Sequence, residues 1–276
     1  MAALSALTPL AVETPPAVSP DASLLTRRLQ VGYGNTAIVR GVDVQIPHGR
    51  MTALLGPNGC GKSTLLKCMA RILPPLAGAV LWQGQSVHGM ATRQLARQLA
   101  LLPQTQPTPE GVTVRELVAY GRSPYSGFWG RLSGRDQHHI TTAMAATGVA
   151  ELAGSKVSEL SGGQRQRVWL AMVLAQDTDY LLLDEPTTYM DLSHQVELMQ
   201  LLRRLNQQGK TVVTVLHDIN QAARYCDHLI VMKAGLIVAE GTPELILTRQ
   251  LLAEVFDLDA EIHRDPIAGS PMCVVR

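Results

Sequence analysis

The chain has almost no charge imbalance: 24 lysines and arginines against 23 aspartates and glutamates leave a net +1 in 276 residues. A protein whose main partner is nucleic acid needs a basic excess, so that class is disfavoured and no nucleic-acid partner is expected. Cysteine is sparse. Cys60, Cys68, Cys226 and Cys273 include no CxxC pair and no Cys/His cluster with zinc spacing, so free thiols in a reducing compartment are expected. No apolar run reaches 18 residues, which excludes a membrane-spanning helix. The first 20 residues hold no lysine or arginine and are interrupted by Thr8, Pro9 and Glu13, unlike a secretory signal. Residues 1–22 are instead expected as a flexible Pro/Ala-rich tail. With Pro9, Pro15, Pro16 and Pro20 they suit neither helix nor central strand, and deleting residues 1–20 should leave fold and activity unchanged.

What remains is an ordinary globular composition, 46% hydrophobic, long enough for about two folding units at most. From residue 24 onward strand and helix signals alternate. Leu24–Val31 reads as an edge strand, Gly32–Asn35 as a turn and Val39–Ile46 as an alternating strand. Met51–Leu55 and Tyr180–Leu183 are wholly apolar, as strands buried on both faces are. Further strands are expected at Val80–Trp82 and Thr211–Leu216, with a hairpin over Leu229–Met232 and Leu236–Ala239. Helices are expected at Ser63–Ile72, Leu160–Ala175, Ser193–Gln208 and Gln221–Tyr225. Residues from about 104 to 160 show helical patterns (Thr113–Tyr120, Asp136–Thr147, Ala150–Ala153) and no strand, which reads as a small helical insertion. The class is α/β: a mostly parallel sheet flanked by helices.

Three motifs carry chemistry. Gly56-Pro57-Asn58-Gly59-Cys60-Gly61-Lys62-Ser63-Thr64 fits GxxxxGK[ST] between a buried strand and a helix. Its glycines let backbone N–H groups turn towards phosphate oxygens, and the helix start adds positive potential. Lys62 offers a mobile charge to the β- and γ-phosphates, and Ser63 a hydroxyl ligand for Mg²⁺. Cys60, inside this loop, is expected to be a thiol that bound ATP shields from modification. The strand Tyr180–Leu183 delivers Asp184 and Glu185 at its C-terminal end, Asp184 for Mg²⁺ through water and Glu185 as general base. Ser161-Gly162-Gly163-Gln164, after Leu160, starts a helix with a capping serine and exposed amides, a second anion site.

With these residues together, residues 24–276 resemble an ATP-binding-cassette ATPase subunit, and Leu160–Gln164 resembles that family's signature. The resemblance implies a P-loop NTPase core with an antiparallel β part and the helical insertion, one ATPase domain over 23–276. It implies that Tyr33 stacks on adenine and that Gln104 reaches Mg²⁺ and the attacking water. It also implies that Tyr189-Met190-Asp191 is a D-loop and that His217 senses the γ-phosphate. ATP would be held by Tyr33, residues 56–64 and, from a second subunit, Ser161–Gln164, giving a head-to-tail homodimer around two ATPs. Gly121–Pro124, Asp184–Asp191 and Gln221–Asp227 are similar to ATPases of bacterial ferric-siderophore importers. Ala260–His263 and Gly269–Cys273 are similar to the ferric dicitrate type.

The implied partners are an integral membrane permease and, indirectly, a periplasmic substrate-binding protein, with the chain peripheral on the cytoplasmic face of the inner membrane. Importers of haem or cobalamin and soluble cassette ATPases are the neighbouring alternatives. Tyr120, Tyr125, Phe128 and Trp129, four aromatics within ten positions, are the expected permease-docking cluster.

Overall fold

The computed structural model describes residues 24–127, 131–188 and 190–276. The expectations for the tail, Phe128, Trp129 and Tyr189 lie outside these residues. In chain order the elements are β1 (Leu24–Tyr33), β2 (Thr36–Ile46), β3 (Met51–Leu55), α1 (Lys62–Met69), β4 (Ala77–Trp82), β5 (Gln85–Ser86), α2 (Thr92–Leu95) and β6 (Leu99–Leu102). Then come α3 (Val114–Tyr120), α4 (Gly134–Ala146), α5 (Gly162–Ala175), β7 (Tyr180–Asp184), α6 (Leu192–Gln207), β8 (Thr211–Val215) and α7 (Ile219–Tyr225). The chain closes with β9 (His228–Lys233), β10 (Leu236–Gly241), α8 (Pro243–Ile246), α9 (Arg249–Phe256), β11 (Ala260–Arg264) and β12 (Pro271–Val275).

The central sheet has the order β10-β9-β3-β8-β7-β6, parallel except for the β9–β10 hairpin. Strand β3 shows why its sequence is apolar throughout. Met51, Ala53 and Leu55 face one core, with Val168 and Ala171 of α5 and Leu198 and Leu202 of α6. Leu54 faces a second core, with Leu65, Leu66 and Met69 of α1 and Val39, Val42 and Val44 of β2. Each of the valine, leucine and methionine side chains among these, fully buried, contributes roughly 1.5–3 kcal/mol. The two faces are covered differently: helices on one, and on the other α1 together with an antiparallel sheet ordered β2-β1-β4-β5.

That antiparallel sheet corrects the reading of Leu24–Val31 as an edge. Strand β1 lies between β2 and β4 and continues to Tyr33, so only Gly34 and Asn35 form the turn. Its mixed pattern comes from having one face on the core and one towards solvent, which an interior antiparallel strand also has.

Between β6 and β7, three helices start on reciprocal capping boxes: Thr113 with Glu116, Ser133 with Asp136, and Ser161 with Gln164. Buried Arg122 ties them together. It donates to Asp136 at 2.8 Å and to the Ala175 carbonyl at the end of α5, also at 2.8 Å. Its guanidinium lies 3.9 Å from the Tyr125 ring centre, with Arg97 at 5.2 Å. Tyr125, expected at a docking surface, is thus committed to two arginines, while Tyr120 remains exposed.

Candidate active site

Parallel strands put their C-terminal ends on one edge, and the loops following β3, β6, β7 and β8 all open there. The loop after β3 is pressed against the sheet. A Cβ on Gly56 would lie 2.1 Å from the Met232 carbonyl oxygen of β9, so only glycine fits, and its φ of +144° is one that side chains rarely adopt. The loop closes through Cys60 N–H to the Pro57 carbonyl and Gly235 N–H to the Cys60 carbonyl. Lys62 is buried and donates from Nζ to the carbonyls of Gly56 at 2.8 Å and Pro57 at 3.0 Å. Cys60 is 4% exposed, so the loop itself already shields the thiol that was expected to need ATP for protection.

Ser63, in the first turn of α1, donates from Oγ to Asp184 Oδ1 at 2.7 Å. Asp184 ends β7 and is fully buried, and its Oδ2 has no hydrogen-bond partner among the described residues. Burial pushes its carboxyl above the usual carboxylate range, against the downward pull of the Ser63 hydroxyl. A buried, half-satisfied carboxylate bonded to a hydroxyl that shares its cavity with Gln104 is an oxygen donor set of the kind Mg²⁺ takes.

Glu185 follows with φ of +52°, the left-handed region, and lines the same cavity as the phosphate loop. Its Oε1 lies 2.8 Å from Nε2 of His217, and Thr188 Oγ donates to its Oε2 at 3.4 Å. His217, just beyond β8, is 48% exposed on its side chain and Glu185 only 13%. A cavity of about 430 Å³ brings together Asn58, Gly59, Gly61, Lys62, Ser63, Thr64, Gln104, Glu185 and His217. Gly56, Pro57 and Cys60 lie outside its lining, forming the loop's base.

Two expected parts of the site, Tyr33 and the segment Ser161–Gln164, stand apart. Tyr33, 52% exposed at the end of β1, is not among the cavity's lining residues. Ser161–Gln164 line a separate pocket of about 370 Å³ with Arg167, Met190, Asp191 and His194, so a single chain does not bring signature and phosphate loop together. There Ser161 Oγ accepts from the Gln164 N–H at 3.3 Å, and Gln164 Oε1 accepts from the Ser161 N–H at 3.0 Å. The sequence reading missed Ile38, which lines the cavity from β2; the alternation of that strand offered no sign of it. It also missed a role for Gln166, buried on α5 and donating to the Pro186 carbonyl at 3.1 Å.

A phosphate loop between strand and helix, with an acidic pair at the end of a parallel strand beside it, defines a P-loop nucleotide-binding α/β protein. Comparisons narrow the class. Residues 39–188 match the family described as ABC transporter. The chain is 51% identical to the iron(3+)-hydroxamate import ATP-binding protein of Bacillus subtilis (strain 168), over 91% of this chain and 94% of that one. It is 47% identical to the ferric enterobactin transport ATP-binding protein of Escherichia coli (strain K12), over 92% and 94%. Among solved structures, a metal-chelate type ABC transporter in an inward-facing conformation superposes with a TM-score of 0.78 at 26% identity, covering 93% of this chain and 98% of that one. A dimeric bacterial ABC transporter cassette gives 0.72 at 28% identity, covering 79% and 98%. The chain belongs to the ABC transporter family.

Proposed function

We propose that this chain is the ATP-hydrolysing subunit that powers import of a ferric siderophore or ferric citrate through a membrane permease. The observation that carries the hydrolytic part is the cavity itself: Lys62, Ser63, Gln104, Glu185 and His217 converge from four loops at one sheet edge. Lys62, released from the Gly56 and Pro57 carbonyls, draws the β- and γ-phosphates into the loop. Ser63, Asp184 and Gln104 would hold Mg²⁺, which when bound would supply positive charge against the phosphoryl oxygens. Glu185 accepts a proton from the attacking water while His217, at 2.8 Å, fixes the orientation of the carboxylate. Tyr33 supplies the adenine-facing ring from the β1–β2 hairpin.

The signature pocket, separate in one chain, supports a head-to-tail homodimer in which Ser161–Gln164 of each subunit closes on ATP held by the other. The iron-siderophore importers among the relatives support the cargo. A periplasmic binding protein would deliver that cargo to the permease. Among the described residues no helix is long and apolar enough to cross a membrane, in keeping with a peripheral place on the cytoplasmic face.

The test separates chemistry from binding. Glu185→Gln should retain ATP affinity, lose at least about a hundredfold in hydrolysis, and accumulate as an ATP-bound dimer on size exclusion. Lys62→Ala should weaken nucleotide binding itself. Near-normal turnover by Glu185→Gln would remove Glu185 from the role of base.

A further inference from the structure

Glu185 and His217 come from different strands, and each sits in a loop. The reading above needs them held at contact distance, although His217 is half exposed on its side chain. Glu185 enters a turn in which Thr188 N–H donates to the Glu185 carbonyl and Met190 N–H to the Thr187 carbonyl, both at 3.3 Å. His217 is followed by Asp218, which caps α7: its Oδ1 accepts from the N–H groups of Asn220 at 2.8 Å and Gln221 at 3.0 Å. Two side-chain amides join these loops. Gln221 Nε2 donates to Gln195 Oε1 at 2.8 Å, and Gln195 Nε2 donates to the Met190 carbonyl at 3.0 Å. The chain of bonds therefore closes on itself, from Glu185 through its turn, Met190, Gln195, Gln221 and the α7 cap to His217, and back to Glu185.

We infer that the Gln195–Gln221 amide pair is a positioning device that sets His217 against Glu185, coupling the turn after the acid to the start of α7. The inference rests on the hydrolytic reading of those two residues. Neither glutamine lines the nucleotide cavity. Both are partly buried, where a neutral amide pair competes better with water than it would on an open surface. An uncharged pair also leaves the charge balance around Glu185 untouched, and it is directional: each amide has one role as donor, and Gln195 is acceptor as well. Apolar replacement of either residue breaks the link between α6 and α7 without entering the site.

The experiment uses the full chain with ATP and Mg²⁺. Gln221→Leu should lower kcat about three- to tenfold, the value of one net hydrogen bond, with KM for ATP unchanged. Gln195→Leu should do the same, and the double variant should be no slower than either single one, because one link is lost in all three. The ¹⁵N signals of the His217 ring should report a defined hydrogen bond at Nε2 in the wild type and its loss in both single variants, at unchanged melting temperature. Should Gln221→Leu fold poorly, Gln195→Leu reads the same link from its other end. Wild-type kcat and an unaltered His217 ring spectrum in the folded variants would overturn the inference, as would effects of the two substitutions that add. A fully active His217→Ala would instead overturn the hydrolytic reading and the inference with it, a result distinct from an inactive His217→Ala beside a fully active Gln221→Leu.

Discussion

Asp136 has two tasks at one position. It completes the capping box of α4, accepting from the Ser133 hydroxyl at 2.6 Å and the Ser133 N–H at 2.9 Å, and it neutralises buried Arg122. The Ser133 hydroxyl first, then Arg122, hold its carboxyl down at about 2, against the upward push of burial. A carboxyl lowered in the folded state contributes stability that is complete above its unfolded value near 4 and is lost as pH falls through about 2. Asp136→Asn would leave Arg122 buried without its anion, an expected loss of about 3 kcal/mol at neutral pH. Thermal melts should show the gap between wild type and variant narrowing from pH 4 towards pH 2, and a constant gap would contradict this assignment.

Residue-scale legibility was uneven for a related reason. Lys62, Ser63, Asp184 and Glu185 could be read because their spacing is local and the chemistry is in the side chain. Ile38 could not, since its place beside Gly61 depends on how β2 folds over the loop. Glu185's left-handed backbone, which costs on the order of 1–3 kcal/mol, also leaves no mark in the sequence.

Among elements, those buried on both faces were legible and those defined by distant partners were not. β3 and β7 announce themselves as apolar runs; α5 starts at the capping serine its sequence offers. The C-terminal hairpin β11–β12 went unread: it is short and half exposed, and it is held on α7 by paired bonds between the Asn220 amide and the Cys273 backbone. α8 spans only Pro243–Ile246, too short for a period to show.

The contact of α3 with α5 gives a sharp test at this scale. A Cβ on Gly121, at the end of α3, would lie 2.1 Å from the Met172 carbonyl oxygen of α5. Since both are backbone-anchored, no side chain can yield. Gly121→Ala is expected to push the helices apart and cost about 1–3 kcal/mol, read by denaturant unfolding. An unchanged midpoint would mean that the two helices do not meet there.

At the scale of the whole molecule, the parallel sheet gathers four loops at one edge, while the helical segment carries Ser161–Gln164 to a separate pocket. The strand order that does this also dictates when the site can exist. β3, which launches the phosphate loop, has no neighbour from its own part of the chain; it is flanked by β8, Met51 opposite Val212, and by β9, Thr52 opposite His228. During synthesis the N-terminal half emerges first, at about 5–20 residues per second, so Met51–Leu55 waits unpaired while most of the protein is made. Such non-local pairing is slow and leaves an apolar strand open to aggregation. The loop that reads as this protein's most local motif is therefore among its last structures to form. Ribosome-bound chains that stop short of Thr211 should not be retained on immobilised ATP, whereas chains extended far enough to free Gly241 from the ribosome should be. Retention of the shorter chains would show that the phosphate loop folds without its sheet.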